Sequence, residues 1–286
     1  MTTTALPRPA GSLGRKMLNK VPEVTLFFWI IKIMCTTVGE TAADYLNDNL
    51  GFGLTKTTYV SGALLAVLLL AQFRLRRYVP GVYWAAVVVI SVFGTLITDN
   101  MTDAHNVPLT TTTPIFAAIL AVVFAVWYAV ERTLSIHSIV TTRREAFYWL
   151  AILFTFSLGT AAGDLVAEKF SLGYGPSIAI WGGAIAAIAA ARFGAKANAV
   201  ATFWFAYILT RPLGASIGDF MSQKSHTYGG LGLGTTGTSY IFLGCILALV
   251  VFLTVTKRDQ TPPAVVERDL AHDHRLGILD PAVQES

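Results

Sequence analysis

The chain has 286 residues, of which 54% are hydrophobic and 13% charged, with a mean hydropathy of +0.58 and a formal net charge of +4. Soluble domains carry about 25% charged residues, so this balance excludes a water-soluble globular domain and points to a chain that crosses lipid many times. The modest net charge leaves no nucleic-acid footprint, and Cys35 and Cys245 sit in separate apolar runs with neither disulfide-framework nor metal-ligand spacing.

Residues 1–21 read as a polar, basic arm carrying Arg8, Arg15, Lys16 and Lys20. Eight apolar segments follow, at 22–45, 56–74, 79–100, 109–130, 146–166, 172–191, 197–221 and 235–256. Each is near the length of about 17–25 residues that a helix needs to span lipid. None has the strict alternation of a barrel strand, so helix is the expected state. Residues 258–286 read as a solvated tail with Pro262-Pro263, one short helix near Val265–Leu270, and His272 and His274 in solvent.

Basic residues gather in alternate loops. Arg74, Arg76 and Arg77 follow the second segment, Arg132, Arg143 and Arg144 the fourth, Arg192 and Lys196 the sixth, and Lys257-Arg258 the eighth. The other loops hold only Lys56, Lys169 and Lys224. The positive-inside bias predicts that both termini are cytoplasmic.

One unit recurs through these segments. An aromatic–Trp pair is followed by Gly ten residues after the Trp and by Asp five residues after the Gly. The copies are Phe28-Trp29…Gly39…Asp44, Tyr83-Trp84…Gly94…Asp99, Tyr148-Trp149…Gly159…Asp164 and Phe203-Trp204…Gly214…Asp219. Four tandem two-helix repeats are predicted, at about 22–76, 77–133, 143–193 and 197–257. The fold class is thus an all-α polytopic membrane protein of eight helices, with pseudo-symmetry about the membrane normal.

Stepping along each odd segment by four residues follows one helix face. The first stripe is Lys32, Thr36, Glu40, Asp44, Asp48, and the second is Ser91, Thr95, Asp99, Asp103. The third is Thr160, Asp164, Glu168, and the fourth is Arg211, Ala215, Asp219, Gln223. Polar stripes on spanning helices belong in a bundle interior or a wet cavity. Pro22 to Asp44 covers about 33 Å at 1.5 Å per residue, which sets the motif Asps near the outer edge of the hydrocarbon. Lys32 lies about 18 Å below them on the same rise. Lys32 and Arg211 each occur once, and each is expected to pair with an acid on its own or a neighbouring helix: Lys32 with Glu40 or with a motif Asp of another repeat, and Arg211 with such an acid or with Asp219, which shares its face.

The bland readings are specific too. Each Asp is a candidate cap, although a carboxylate at a helix C-terminus opposes the macrodipole. The motif Gly, with Ala43, Thr98, Gly163 or Gly218 four residues on, suits close helix packing. The Trps fit an aromatic belt at the cytoplasmic interface. His105 and His226 fit solvated loops. Gly232-Leu-Gly234-Thr-Thr-Gly237 matches GxGxxG, yet it leads into an apolar segment outside any βαβ unit, so it reads as a loop turn.

The Trp…Gly…Asp pattern in four two-helix repeats resembles an uncharacterised bacterial family of membrane-anchored proteins, over residues 22–257. The resemblance implies a bacterial inner-membrane location and no particular substrate. The residues themselves lead to a transporter rather than an enzyme, with a cation, divalent or proton-coupled, held by Asp44, Asp99, Asp164 and Asp219. Glu40, Asp48, Asp103, Glu168, Lys32 and Arg211 are the supporting candidates. A carrier of a small organic solute, and a membrane scaffold or intramembrane enzyme, are the alternatives. No cofactor is expected, and the partners expected are the bilayer and the transported cation or solute.

Overall fold

The computed structural model describes residues 19–49, 51, 53–224 and 229–260. The predicted tail helix, His226, His272 and His274 lie outside the described residues. Eight long α-helices run through the rest: α1 Leu26–Asp44, α2 Gly53–Arg74, α3 Pro80–Asp99, α4 Leu109–Glu131, α5 Thr142–Asp164, α6 Tyr174–Phe193, α7 Ala199–Ser222 and α8 Gly234–Thr256.

Local chemistry marks the helix starts. Thr25, Thr141 and Asn198 accept hydrogen bonds from first-turn amides of α1, α5 and α7, the usual work of an N-cap hydroxyl or amide oxygen. Pro80 opens α3, where its missing N–H is not needed. α4 and α8 end on left-handed residues, Arg132 and Lys257.

Seven of the eight helices are long and apolar enough to cross a membrane. The chain is a membrane protein on that ground. α7 is the helix outside this set. Its interior carries Arg211 and Pro212 and the small residues Gly214, Ala215, Ser216 and Gly218, all of them buried. From Ala206 onward helix α7 is thus largely enclosed by protein.

The odd helices form a closed ring, α1 against α3, α3 against α5, α5 against α7 and α7 against α1. Each even helix packs chiefly on the odd helix of the next repeat: α2 on α3, α4 on α5, α6 on α7, and α8 back on α1. The two helices of one repeat therefore hardly support each other, and the repeats interlock. Most span residues of α1, α3 and α5 are buried in the bundle, whereas those of α2, α4, α6 and α8 are mostly exposed. Their exposed faces carry Val67, Leu70, Val122, Val126, Leu247 and Val251, as lipid contact requires.

The motif glycines make the ring possible. A Cβ on Gly39 would meet Ser91 of α3, one on Gly94 would meet Phe156 of α5, one on Gly159 would meet Arg211 of α7, and one on Gly214 would meet Thr36 of α1. In every case the obstructing residue lies eight positions before the Asp of the next repeat. Close approach also brings hydroxyls onto facing carbonyls: Thr37 to Gly214 at 3.1 Å, Thr98 to Ser157 at 3.0 Å and Ser157 to Gly94 at 3.1 Å.

The aromatic pairs close the ring at its other end. Phe28 packs on Trp84, Tyr83 on Trp149, Tyr148 on Trp204 and Phe203 on Trp29, with centroids 5.5–6.2 Å apart. Tyr83 and Tyr148 share a hydroxyl–hydroxyl bond of 2.5 Å. The expected interfacial Trp belt is corrected here. Trp84, Trp149 and Trp204 are buried, because an indole beside a neighbouring repeat's ring removes more apolar area from water than one at a headgroup.

The basic end of the bundle is also tightly tied. Lys20 is buried and paired with Glu145 at 2.6 Å, and it donates to the Phe73 carbonyl. Arg144 pairs with Glu131 at 2.8 Å, and Arg143 meets the same carboxylate. Tyr78 donates to Asp259 at 2.5 Å. Thus Lys20 and Asp259, counted with the arm and the tail from sequence, belong to the bundle. Burial pushes the Asp259 carboxyl above its ordinary range, and the Tyr78 hydrogen bond opposes that shift.

Candidate functional site

As far as the motif Asps, the four polar stripes face the ring interior, and they stack in layers. Successive layers lie about 6 Å apart, four residues at 1.5 Å each. Starting from the aromatic end, the first polar layer holds Lys32. The next holds Thr36, Ser91 and Arg211, then come Glu40, Thr95, Thr160 and Ala215, and last the four motif Asps. Lys32, Thr36, Ser91, Thr95, Thr160 and Arg211 are all wholly buried.

The Asp layer opens into a cavity of about 290 Å³. Glu40, Asp44, Asp99, Asp103, Asp164 and Asp219 all line it. The sequence-predicted carboxylates are thereby brought together from all four ring helices and one following turn. Oxygens of Glu40, Asp164 and Asp219 lie within 4.8 Å of one another, a spacing at which three carboxylates can share one cation. Oxygen ligands of this kind suit hard cations or protons. Asp219 is the most enclosed of the motif Asps at 7% exposure, and Asp44, Asp99 and Asp164 are half-buried.

None of the four ring helices stops at its motif Asp, and three of them change their winding there. After Asp44, Asp99 and Asp164 the backbone widens into one π-helical turn, Tyr45–Asn49, Asn100–Ala104 and Leu165–Lys169. The five-residue hydrogen bonds of that turn are visible at His105 to Asn100 and Phe170 to Leu165. Single π turns inside helices are rare and concentrate at functional sites. They also change the register on which the four-residue stripes were extended. Asp103 lies at the exposed rim of the cavity rather than directly above Asp99. Asn47 and Thr102, three residues past their Asps, take part in the lining instead. The side chains of Asp48 and Glu168 lie outside those the structure describes. Helix α7 lacks the π turn. It ends at Ser222, the Gln223 amide bonds back to the Asp219 carbonyl at 2.8 Å, and Gln223 joins the lining.

Arg211 forms the floor beneath the cavity. Its Nη2 donates to Glu40 Oε2 at 2.9 Å, to Thr160 Oγ1 at 2.7 Å and to Thr95 Oγ1, and its Nη1 donates to the Thr36 carbonyl at 3.1 Å. One side chain thus joins α7 to α1, α3 and α5. Of the acids expected for Arg211, on its own or a neighbouring helix, the ion-pair partner is Glu40 of the neighbouring α1 rather than Asp219 of its own face. A side chain of that length reaches across the ring to an acid one layer up.

Lys32 corrects the expectation of an acid partner. Among the described residues no carboxylate pairs with it. Its ammonium donates to Thr210 Oγ1 at 3.0 Å and lies 4.5 Å and 4.3 Å from the ring centres of Phe156 and Tyr207. Arg211 has taken Glu40, and the motif Asps are three layers away, so aromatic faces serve Lys32 in their place. His105 lies exposed in its loop, with Nδ1 against the Asn100 carbonyl at 2.6 Å. The GxGxxG stretch leads into α8, as a loop turn with left-handed Gly232 and Gly234.

Sequence reasoning missed Tyr174, Leu54 and Leu109 in the cavity wall. They come from the first turns of even helices, and nothing in a linear pattern tells where those turns sit relative to the Asps. It also missed the buried Glu131 and Glu145. Their position beside clustered arginines and across from Lys20 was the available signal.

The family model described as Repeat of Unknown Function (DUF347) matches this chain four times, over residues 27–78, 82–133, 147–198 and 202–259. The four matches agree with the four repeats read from the Trp, Gly and Asp spacing. No curated protein and no solved structure matches the chain. The chain belongs to the DUF347 repeat family.

Proposed function

We propose that this member of the repeat family is a membrane transporter whose substrate-binding vestibule is the acidic mouth, and that its substrate is a small cation, a divalent metal or one coupled to protons. The observation that carries the reading is the convergence of Asp44, Asp99, Asp164, Asp219 and Glu40, from four separate helices, on one cavity. Grouping five acids where lipid is near is costly unless a cation or protons compensate them. The cyclic packing supports a pseudo-fourfold axis along the membrane normal, with the mouth on that axis. The basic loops at the aromatic end support an orientation with both termini in the cytoplasm and the mouth outside. A bacterial inner membrane is the location that the sequence resemblance implies. The reading is non-enzymatic, with the bilayer and the transported ion as partners.

A carrier of an anionic organic solute fits less well. It would need Lys32 and Arg211 to hold the anion, and Arg211 is already bound to Glu40. The test is transport by the purified protein in sealed vesicles, with Mg²⁺, Mn²⁺ and proton indicators inside. Cation-dependent flux above that of empty vesicles supports the proposal. Flux confined to an organic solute, or no flux for any cation, refutes it.

A further inference from the structure

The layer below the mouth is filled by the Arg211 guanidinium. Four oxygens converge there on one positively charged group: a Glu40 carboxylate oxygen, the Thr95 and Thr160 hydroxyls, and the Thr36 carbonyl. The hydroxyl protons are already directed elsewhere. Thr95 donates to the Ser91 carbonyl and Thr160 to the Phe156 carbonyl, each at 3.2 Å along its own helix. Both hydroxyls therefore present lone pairs, and not protons, to the axis. The fourth helix offers Ala215 at the equivalent position, with no oxygen, and Arg211 rises from the layer beneath to fill the centre.

We infer that the Glu40–Thr95–Thr160–Thr36 layer is a site for a monovalent cation, and that Arg211 is a tethered competitor occupying it in this state. The layer carries one formal negative charge. One guanidinium neutralises it, and so would one sodium-like ion, whereas a divalent ion would leave net charge buried away from water. Hard oxygen ligands of mixed carboxylate, hydroxyl and carbonyl type suit such an ion. The arginine is always charged, so the layer is closed to free cations until its guanidinium moves. The carboxylates one layer above it are the motif Asps, about 6 Å away on the helix rise. The inference shares Glu40 with the mouth, which Glu40 also lines, and otherwise rests on this layer rather than on the Asp mouth's carrying a substrate.

The test uses the full chain in detergent. Arg211→Met removes the competitor and leaves the four oxygens. Its melting temperature is measured in sodium chloride and in choline chloride at equal ionic strength, beside the wild type and the double variant Arg211→Met/Glu40→Gln. The expected result is a saturable, sodium-dependent rise in melting temperature for Arg211→Met, absent from the other two proteins. Equal melting of Arg211→Met in the two salts overturns the inference. If Arg211→Met folds only when sodium is present, the inference is upheld. If it folds in neither salt, whether or not the double variant folds, the inference is overturned, because Arg211 is then a strut that no free cation replaces. Failure here with intact cation transport by the wild type would leave the mouth reading standing.

Discussion

Replacing Gly214 by alanine tests the interlocked ring at its closing contact, where the fourth repeat meets the first. The new Cβ would lie 1.8 Å from Thr36 Oγ1, 2.7 Å from Thr36 Cβ and 3.0 Å from the Ile33 carbonyl oxygen. Rotating the hydroxyl away relieves only the first of these contacts, and it forfeits the Thr36 bonds to the Ile33 and Thr210 carbonyls at 2.6 Å and 3.2 Å. The other two contacts require α1 and α7 to separate. Overpacking of this kind costs about 1–3 kcal/mol, and loss of a buried hydroxyl bond adds about 1 kcal/mol. The expected total is therefore about 2–4 kcal/mol. Gly244→Ala, with nothing within 4 Å of its Cβ, is the control and should be neutral. The assay is reversible unfolding in mixed micelles. Gly214→Ala combined with Thr36→Gly should recover part of the loss, because the space is returned from the other side. A Gly214→Ala protein as stable as Gly244→Ala would refute the close approach and the ring closure built on it.

Lys32→Met should change stability by no more than about 1 kcal/mol, since no carboxylate among the described residues is left unpaired and lost cation–π contacts are offset by relief of a buried charge; a loss above about 3 kcal/mol in the same assay would reveal a counter-ion. Lys20→Met should be costly, about 3–5 kcal/mol, because it strands Glu145 at 1% exposure. Glu145→Gln added to Lys20→Met should restore much of that loss, and a double variant as unstable as the single one would contradict the pairing.

The repeats and the inward polar stripes were legible in the sequence because both depend only on spacing along a helix. The Gly, Trp and Asp positions recur without gaps, and the four-residue step from Lys32 to Asp44 holds as long as the backbone stays α-helical. The step fails at the Asps because a π turn follows three of them, and a one-residue change of register leaves no trace in residue spacing. Partners across the ring were not legible either. Arg211 reaches Glu40 rather than Asp219 on its own helix, and Lys32 meets Phe156 and Tyr207, because contacts between helices depend on their packing order. The cyclic shift that places α8 against α1 belongs to the same class. The Trp residues had the composition of a belt, and only the ring geometry turns them inward. Helix α7 fell short of a membrane span by hydropathy for the reason that gives it its place, since Arg211 and the small residues around Gly214 serve the other ring helices.

The central claim is that the motif Asps hold a cation. Asparagine keeps the shape and capping oxygen of each Asp and removes only the charge. The most direct measurement is therefore cation uptake into sealed vesicles by Asp44→Asn, Asp99→Asn, Asp164→Asn and Asp219→Asn, with thermal melting read on the same preparations. The account predicts at least a tenfold fall in uptake, equivalent to about 1.4 kcal/mol, with melting retained, and the largest fall at Asp164 and Asp219, whose oxygens lie together with those of Glu40. Four variants that take up the cation as the wild type does, with unchanged melting, would contradict it.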